Sequence, residues 1–93
     1  MITYNFKPSF EKSIRKFPPL KKQQIKSLAK HLIFLLSKNQ SLPKGMGLTR
    51  LRKNYWEIRN TIKERILFHY EKDQLDFILT GSHDDVKKFL KNI

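Results

Sequence analysis

The chain has no cysteine among its 93 residues, which excludes disulfides and thiolate metal sites. It is poor in acid: 8 Asp and Glu stand against 20 Lys and Arg, a formal net charge of +12. A small domain that basic suits nucleic acid, an anionic membrane or an acidic protein partner. It also lacks a long apolar run. The longest, Leu32 to Leu36, is far short of the ~20 residues that span a bilayer, so no membrane partner is expected. Lys7, Glu11 and Lys12 interrupt the N-terminus before any signal-like apolar stretch, and a cytoplasmic protein is expected. His31, His69 and His83 are too scattered for a zinc site, so neither a metal nor another cofactor is expected. What remains is 39% hydrophobic content with 7 Phe, 3 Tyr and 1 Trp, enough for the core of one small domain over residues 1–93.

Hydrophobic periodicity divides the chain. Ile2 to Phe6 alternates as a short strand. A helix opens at Pro8 or Ser9 and carries Phe10, Ile14 and Phe17 until Pro18-Pro19 stops it. The next helix begins at Pro19 or Leu20. Its apolar stripe is Leu20, Ile25, Leu28, Ala29, Leu32, Ile33, Leu35 and Leu36, with Lys21, Lys22, Lys26 and Lys30 largely off it. The two helices form an antiparallel hairpin, and Ser37 to Gly47 reads as a polar loop with Pro43, Gly45 and Gly47 as breakers. Strands are expected near Leu48–Leu51, Tyr55–Arg59, Glu64–Glu71 and Leu75–Thr80, with Lys72-Asp73 as a hairpin turn. A last helix runs from His83 to about Asn92, with Val86, Phe89, Leu90 and Ile93 on one side. This order predicts an α+β fold, in which an N-terminal strand and helical hairpin pack on one face of a mostly antiparallel twisted sheet, followed by a short C-terminal helix.

Strand parity assigns the faces. Trp56, Ile58, Ile66 and Phe68 are expected under the helices, which leaves Glu57, Arg59, Arg65 and His69 projecting from an open second face. Burying that charged set would place unpaired charges in a low-dielectric core. A Glu facing an Arg on a neighbouring strand is also an ordinary cross-strand pair worth a few tenths to ~1 kcal/mol, so parity alone leaves both readings open.

Ser82 with Asp85 three residues on resembles a capping box, and Asp84 and Asp85 suit the positive end of a helix dipole. Those needs account for Gly81, Ser82 and both acids. They do not account for His83, a histidine in the first turn of the helix. Free N–H groups there make His83 the residue to meet a phosphate or a leaving oxygen; a solvated surface histidine is the alternative. His31 reads as an ordinary residue of the long helix.

Tyr55-Trp56-Glu57-Ile58-Arg59 resembles the "LWELR" strand of the RelE/ParE superfamily of type II toxins from bacterial toxin–antitoxin modules. Arg65-Ile66-Leu67-Phe68 is similar to that family's following "YRVLY" strand, and Phe77 to His83 to its last strand and exit. The resemblance covers most of the chain in order and spacing. It implies a toxin neutralised by a cognate antitoxin, and one of two activities. RelE-like members act on the ribosome as endonucleases that cut mRNA and inhibit translation; ParE-like members inhibit DNA gyrase. A non-catalytic nucleic-acid-binding module is a third reading of the charge.

Cleaving RNA without a metal requires a base for the 2′-hydroxyl, positive charge for the phosphorane, and an acid for the 5′-oxygen. On the resemblance, Arg65 takes the place of the family's arginine at the start of the second strand, and Arg59 assists it. Glu57 stands where some members carry an acid–base residue, so it is a base or a group that orients one. His83 stands at the C-terminal catalytic position. Arg50, Arg52 and Lys53, with His69, are expected to bind rRNA or mRNA backbone. Asp84 and Asp85 replace the basic or tyrosine residues that some members place after the last strand, and no tyrosine follows His83. The excess positive charge suits an antitoxin with an acidic amphipathic segment that folds on binding.

Overall fold

A computed structural model describes residues 2–38, 47–59 and 64–93. Most of the polar loop expected over Ser37 to Gly47, with Pro43 and Gly45, lies outside them. The elements in chain order are β1 (Thr3–Phe6), α1 (Pro8–Ile14), α2 (Pro19–Ser37), β2 (Leu48–Arg52), β3 (Tyr55–Arg59), β4 (Arg65–Glu71), β5 (Gln74–Gly81) and α3 (His83–Lys91). The five strands form one sheet in the order β1-β5-β4-β3-β2. The β1–β5 pair is parallel and the other three pairs are antiparallel. The expected α+β architecture is therefore present.

Proline sets the helix boundaries. Pro18 caps α2 and Pro19 occupies its first turn, where a missing N–H costs nothing. α1 stops at Ile14, three residues before the expected Phe17, and turn hydrogen bonds from Lys16 N–H to Ser13 O and from Phe17 N–H to Ile14 O replace a further helical turn. Phe17 still packs against the core.

Ile25, Ala29, Leu32 and Leu36, spaced by four, three and four residues, form the buried stripe of α2. They meet Ile58, Ile66, Phe68, Leu75 and Phe77 from the sheet, and Phe10 and Ile14 from α1. Phe6 stacks on Phe77 with centroids 4.7 Å apart and planes 13° from parallel. Lys21 on α2 pairs with Glu64 just before β4, Nζ to Oε1 2.6 Å. The β4–β5 hairpin turns at Lys72 and Asp73, both left-handed with φ of 50° and 62°, the hand that matches strand twist in a two-residue turn.

The second face of the sheet differs from expectation. It is not open, because α3 packs on it. Leu67, Ile78 and Val86 form a second core there, joined by Leu51, Tyr55, Leu79, Phe89 and Leu90. Leu67 shares its side of β4 with Arg65 and His69 and is fully buried. The apolar face of α3 needs an apolar footing, and Leu67 beside Leu79, its register partner on β5, supplies it.

At the far end of β5 the edge left by β1 is closed by side chains. β1 ends at Phe6, opposite Phe77. Beyond that point the Ser9 hydroxyl donates to Ile78 O, and Ser13 Oγ accepts from Thr80 N–H at 3.0 Å.

Candidate functional site

Three strands end together where β5 passes into α3. Arg59 faces Arg65 across β3 and β4, and Arg65 faces Gly81 across β4 and β5. Directly opposed residues of an antiparallel pair project to the same side, so two arginines stand next to each other, a repulsive arrangement unless something negative lies near. Glu57 is that group. It sits two residues along β3 and reaches Arg65 diagonally, Oε2 to Nε 3.1 Å.

The pair is closed in. Glu57 is 4% exposed and Arg65 8%, whereas Arg59 is exposed. The expectation that Glu57 and Arg65 project from an open face is thus corrected: α3 and its apolar footing pack on that face, and the ion pair offsets part of the cost of burying the two charges. Oε1 of Glu57 is buried and has no hydrogen-bond partner among the described residues. The strand register around Arg65 is reinforced by Thr80, whose hydroxyl donates to Arg65 O at 3.0 Å.

Two residues beyond Gly81, His83 is the first residue of α3 and is exposed. Its Cα lies at most about 7.6 Å from that of Gly81. The expected capping box is present. Asp85 N–H donates to Ser82 Oγ, and Asp85 Oδ2 accepts from Ser82 N–H at 2.9 Å and from its hydroxyl at 3.0 Å. The backbone bond from Ser82 holds the Asp85 carboxyl below the ordinary carboxylate range, helped by the Ser82 hydroxyl, Lys16 and Lys88. Asp85 is thereby turned toward its own cap. Gly81 makes the box possible, since a Cβ there would stand 2.6 Å from Asp85 Oδ2.

The remaining site candidates gather at the other end of β3, about 13 Å away by strand rise. Arg50 lies over the Trp56 ring, 5.7 Å to the centroid, and its Nε donates to Lys53 O. Arg52 donates from Nη1 to Leu90 O at 3.0 Å and so satisfies a carbonyl in the last turn of α3. Lys53 occupies the β2–β3 turn with φ 47°. His69 packs edge-on to Tyr55 at 4.8 Å and has Nε2 3.8 Å from Glu71 Oε1. Arg50, Arg52 and Lys53 are exposed, so they form a second basic patch, separate from the arginine row.

A third basic feature escaped the sequence reading. Lys12 and Lys16 on one side and Lys88 on the other border a groove between α1 and α3. The only signal in the sequence was the four-residue spacing of Lys12 and Lys16. Among the described residues, no group of three His, Asp or Glu side chains is placed to hold a metal ion, and no helix is long and apolar enough to cross a membrane.

No protein-family model matches the chain, and no curated protein matches it in sequence. Solved structures match it in fold. A copper-bound mutant toxin from Helicobacter pylori is 22% identical with a TM-score of 0.69, over 92% of this chain and 99% of that one. A chain of the E. coli DinJ-YafQ toxin-antitoxin complex is 18% identical with a TM-score of 0.68, over 91% and 96%. A chain of the RelB-RelE antitoxin-toxin complex from Methanococcus jannaschii is 19% identical with a TM-score of 0.63, over 90% and 95%. With a five-stranded sheet, an N-terminal helical pair and a short C-terminal helix, the protein has the fold of these RelE-like toxin structures.

Proposed function

We propose that the protein is the toxin of a type II toxin–antitoxin module and cuts mRNA on the ribosome without a metal. One observation carries this reading: Arg59 and Arg65 stand opposite each other, Arg65 is clamped by Glu57, and His83 begins the helix that follows their row. A phosphate drawn to this row offsets the repulsion between the guanidinium groups, whose planar donors suit its oxygens.

In the reaction the 2′-oxygen attacks the adjacent phosphorus. The 2′-O–P bond forms as the P–O5′ bond breaks, which gives a 2′,3′-cyclic phosphate and a 5′-hydroxyl. One proton leaves the 2′-hydroxyl and one reaches the 5′-oxygen. On this reading His83, exposed as the first residue of α3, makes one of these transfers and solvent the other. The exposed Arg59 meets the charge that grows on the phosphorane, and Arg65, buried beside it, adds its field from behind. Glu57 acts through Arg65 as a positioning residue. Arg50, Arg52 and Lys53, with His69 beside them, hold rRNA or mRNA backbone at a distance from the cut.

The partner on this reading is an antitoxin encoded with the toxin. Solved neighbours of this fold come from antitoxin-toxin complexes, and Leu20 and Phe34 on α2 leave large apolar side chains exposed for an acidic amphipathic segment. The burial of Arg65 favours a second reading, a ParE-like gyrase inhibitor that binds without cutting. Mapping mRNA 5′ ends after induction separates the two. New ends that disappear with His83→Ala, whose loss is expected to slow cleavage by about 10²–10⁴, support the nuclease. Growth arrest with DNA-damage signalling and no new ends points to gyrase.

A further inference from the structure

Along the outward side of α2, opposite the buried Ile25, Ala29, Leu32 and Leu36, runs the line Leu20, Gln23, Ser27, His31 and Phe34. All five side chains are exposed, Leu20 by 67% and Phe34 by 53%. The line holds no lysine, arginine or acid, although the chain has a net charge of +12 and α2 itself carries Lys21, Lys22, Lys26 and Lys30. An open groove of ≈ 620 Å³ follows it from Leu20 to His31. The residues are three, four, four and three positions apart, so the spacing reads the same from either end. The chemistry does so as well. Ser27 is the midpoint, Gln23 and His31 flank it at four residues, and the apolar Leu20 and Phe34 stand at seven.

We propose that this line pairs α2 with α2 of a second copy of the chain, antiparallel about a two-fold axis at Ser27. Leu20 of each copy then meets Phe34 of the other, Gln23 meets His31 with an amide and an imidazole able to share a hydrogen bond, and the small Ser27 lets the helices close on the axis. A two-fold contact requires residue j to meet i wherever i meets j, and this line meets that condition at every position. An acidic segment, such as the antitoxin of the proposed function, gains nothing from the symmetry and finds its cations only at the rim. Lys26 and Lys30 form that rim, one helical turn from Gln23 and Phe34 and exposed. The two-fold sets each lysine rim beside its copy, so salt tightens the pair by screening, the reverse of its effect on an acidic peptide. Lys38 lies over Phe34, Nζ 4.7 Å from the ring centroid, at the end of the contact. The line spans about 21 Å of helix, less than a permanent interface needs, so the pair is reversible and forms at high concentration. None of this depends on the nuclease reading.

The test is sedimentation equilibrium of the purified chain from about 5 to 500 µM, at about 50 and 500 mM salt. The mass should rise from monomer toward dimer with concentration, and the association should tighten about two- to tenfold at the higher salt. Ser27→Lys, which sets two ammonium groups on the axis, should weaken it at least about tenfold with an unchanged circular dichroism spectrum, whereas Ser27→Ala should leave it as it is. Because the chain has no cysteine, Ser27→Cys reports the axis directly. Under mild oxidation it should form a disulfide-linked dimer well ahead of Lys87→Cys on α3. A monomer at every concentration, a dimer that Ser27→Lys leaves intact, or equal cross-linking of the two cysteine variants overturns the proposal. So does association that loosens as salt rises. A monomeric parent whose Leu20 and Phe34 instead bind a labelled glutamate-rich amphipathic peptide, lost in Leu20→Lys, also overturns it and makes the face a docking site for a different protein.

Discussion

Glu57→Ala removes half of a buried ion pair and is the sharpest test of how this site is built. The charges are 3.1 Å apart, with the Arg65 and Glu57 side chains 10% and 5% exposed. At that separation and an effective dielectric constant near 20, their attraction is about 5 kcal/mol. The desolvation already spent on both groups cancels part of it, but the variant removes the Glu57 carboxylate from beside a buried guanidinium. Breaking a buried pair in this way costs about 3–5 kcal/mol. The lower end is expected, because Oε1 of Glu57 has no partner among the described residues and the pair is not fully satisfied. A domain of this size has about 5–14 kcal/mol of total stability, so the variant folds but is weakened. Urea unfolding followed by Trp56 fluorescence should show a midpoint lower by roughly 1–3 M at unchanged m. Replacing both partners, Glu57→Met with Arg65→Met, should restore stability to within ~1 kcal/mol of the parent or exceed it. A loss below ~1 kcal/mol for Glu57→Ala, the size of a hydrated surface pair, would refute the burial argument.

Four further outcomes follow from local geometry. Gly81→Ala should cost about 1–3 kcal/mol, because the new Cβ displaces Asp85 from its cap, and amide exchange should speed up first in the opening turn of α3. Asp85 has a folded-state pKa below its unfolded value of about 3.9, so it stabilises the protein above that pH and the contribution fades as acid protonates it. The gap in melting temperature between parent and Asp85→Asn should therefore be wide near neutral pH and narrow as the pH falls through the folded-state value, below the ordinary carboxylate range; a gap independent of pH would contradict the assignment. Lys72→Asn, at a turn position with φ 50°, should raise stability by a few tenths to about 1 kcal/mol in chemical unfolding. Arg52→Ala frees Leu90 O and should cost about 0.5–1.5 kcal/mol, with earlier proteolytic nicking of the last turn of α3 as its signature.

Much of the fold was legible because its determinants are local. The spacing of Ile25, Ala29, Leu32 and Leu36, the Pro18-Pro19 boundary, the Lys72-Asp73 turn and the Ser82–Asp85 box are each decided within a few residues. Strand parity also placed Ile58, Ile66 and Phe68 together in the core. The cover over the second face was not legible. Leu67 and the Val86–Leu90 stripe were both visible, but pairing them requires the path of β5 into α3, which no local pattern encodes. For the same reason the charged residues were expected to form one surface and in fact form several. Lys12 and Lys88 become neighbours only through tertiary packing, and Arg50 and Arg59 separate because they sit at opposite ends of one hairpin. The parallel β1–β5 pair, with Thr3 beside Gln74, joins segments too distant in the chain for periodicity to link.

That parallel pairing has a consequence for how the molecule comes into being. β5 bonds to β1 and β4, and through Ser9 and Ser13 to α1, yet it follows all of them in the sequence. During synthesis the first strand waits, without its neighbour, until some seventy more residues have been made and have cleared the exit tunnel. A half-translated chain has neither the row ending at Gly81 nor the helix over it. On the nuclease reading, the ribosome that makes this protein is safe from it until the last strand has emerged.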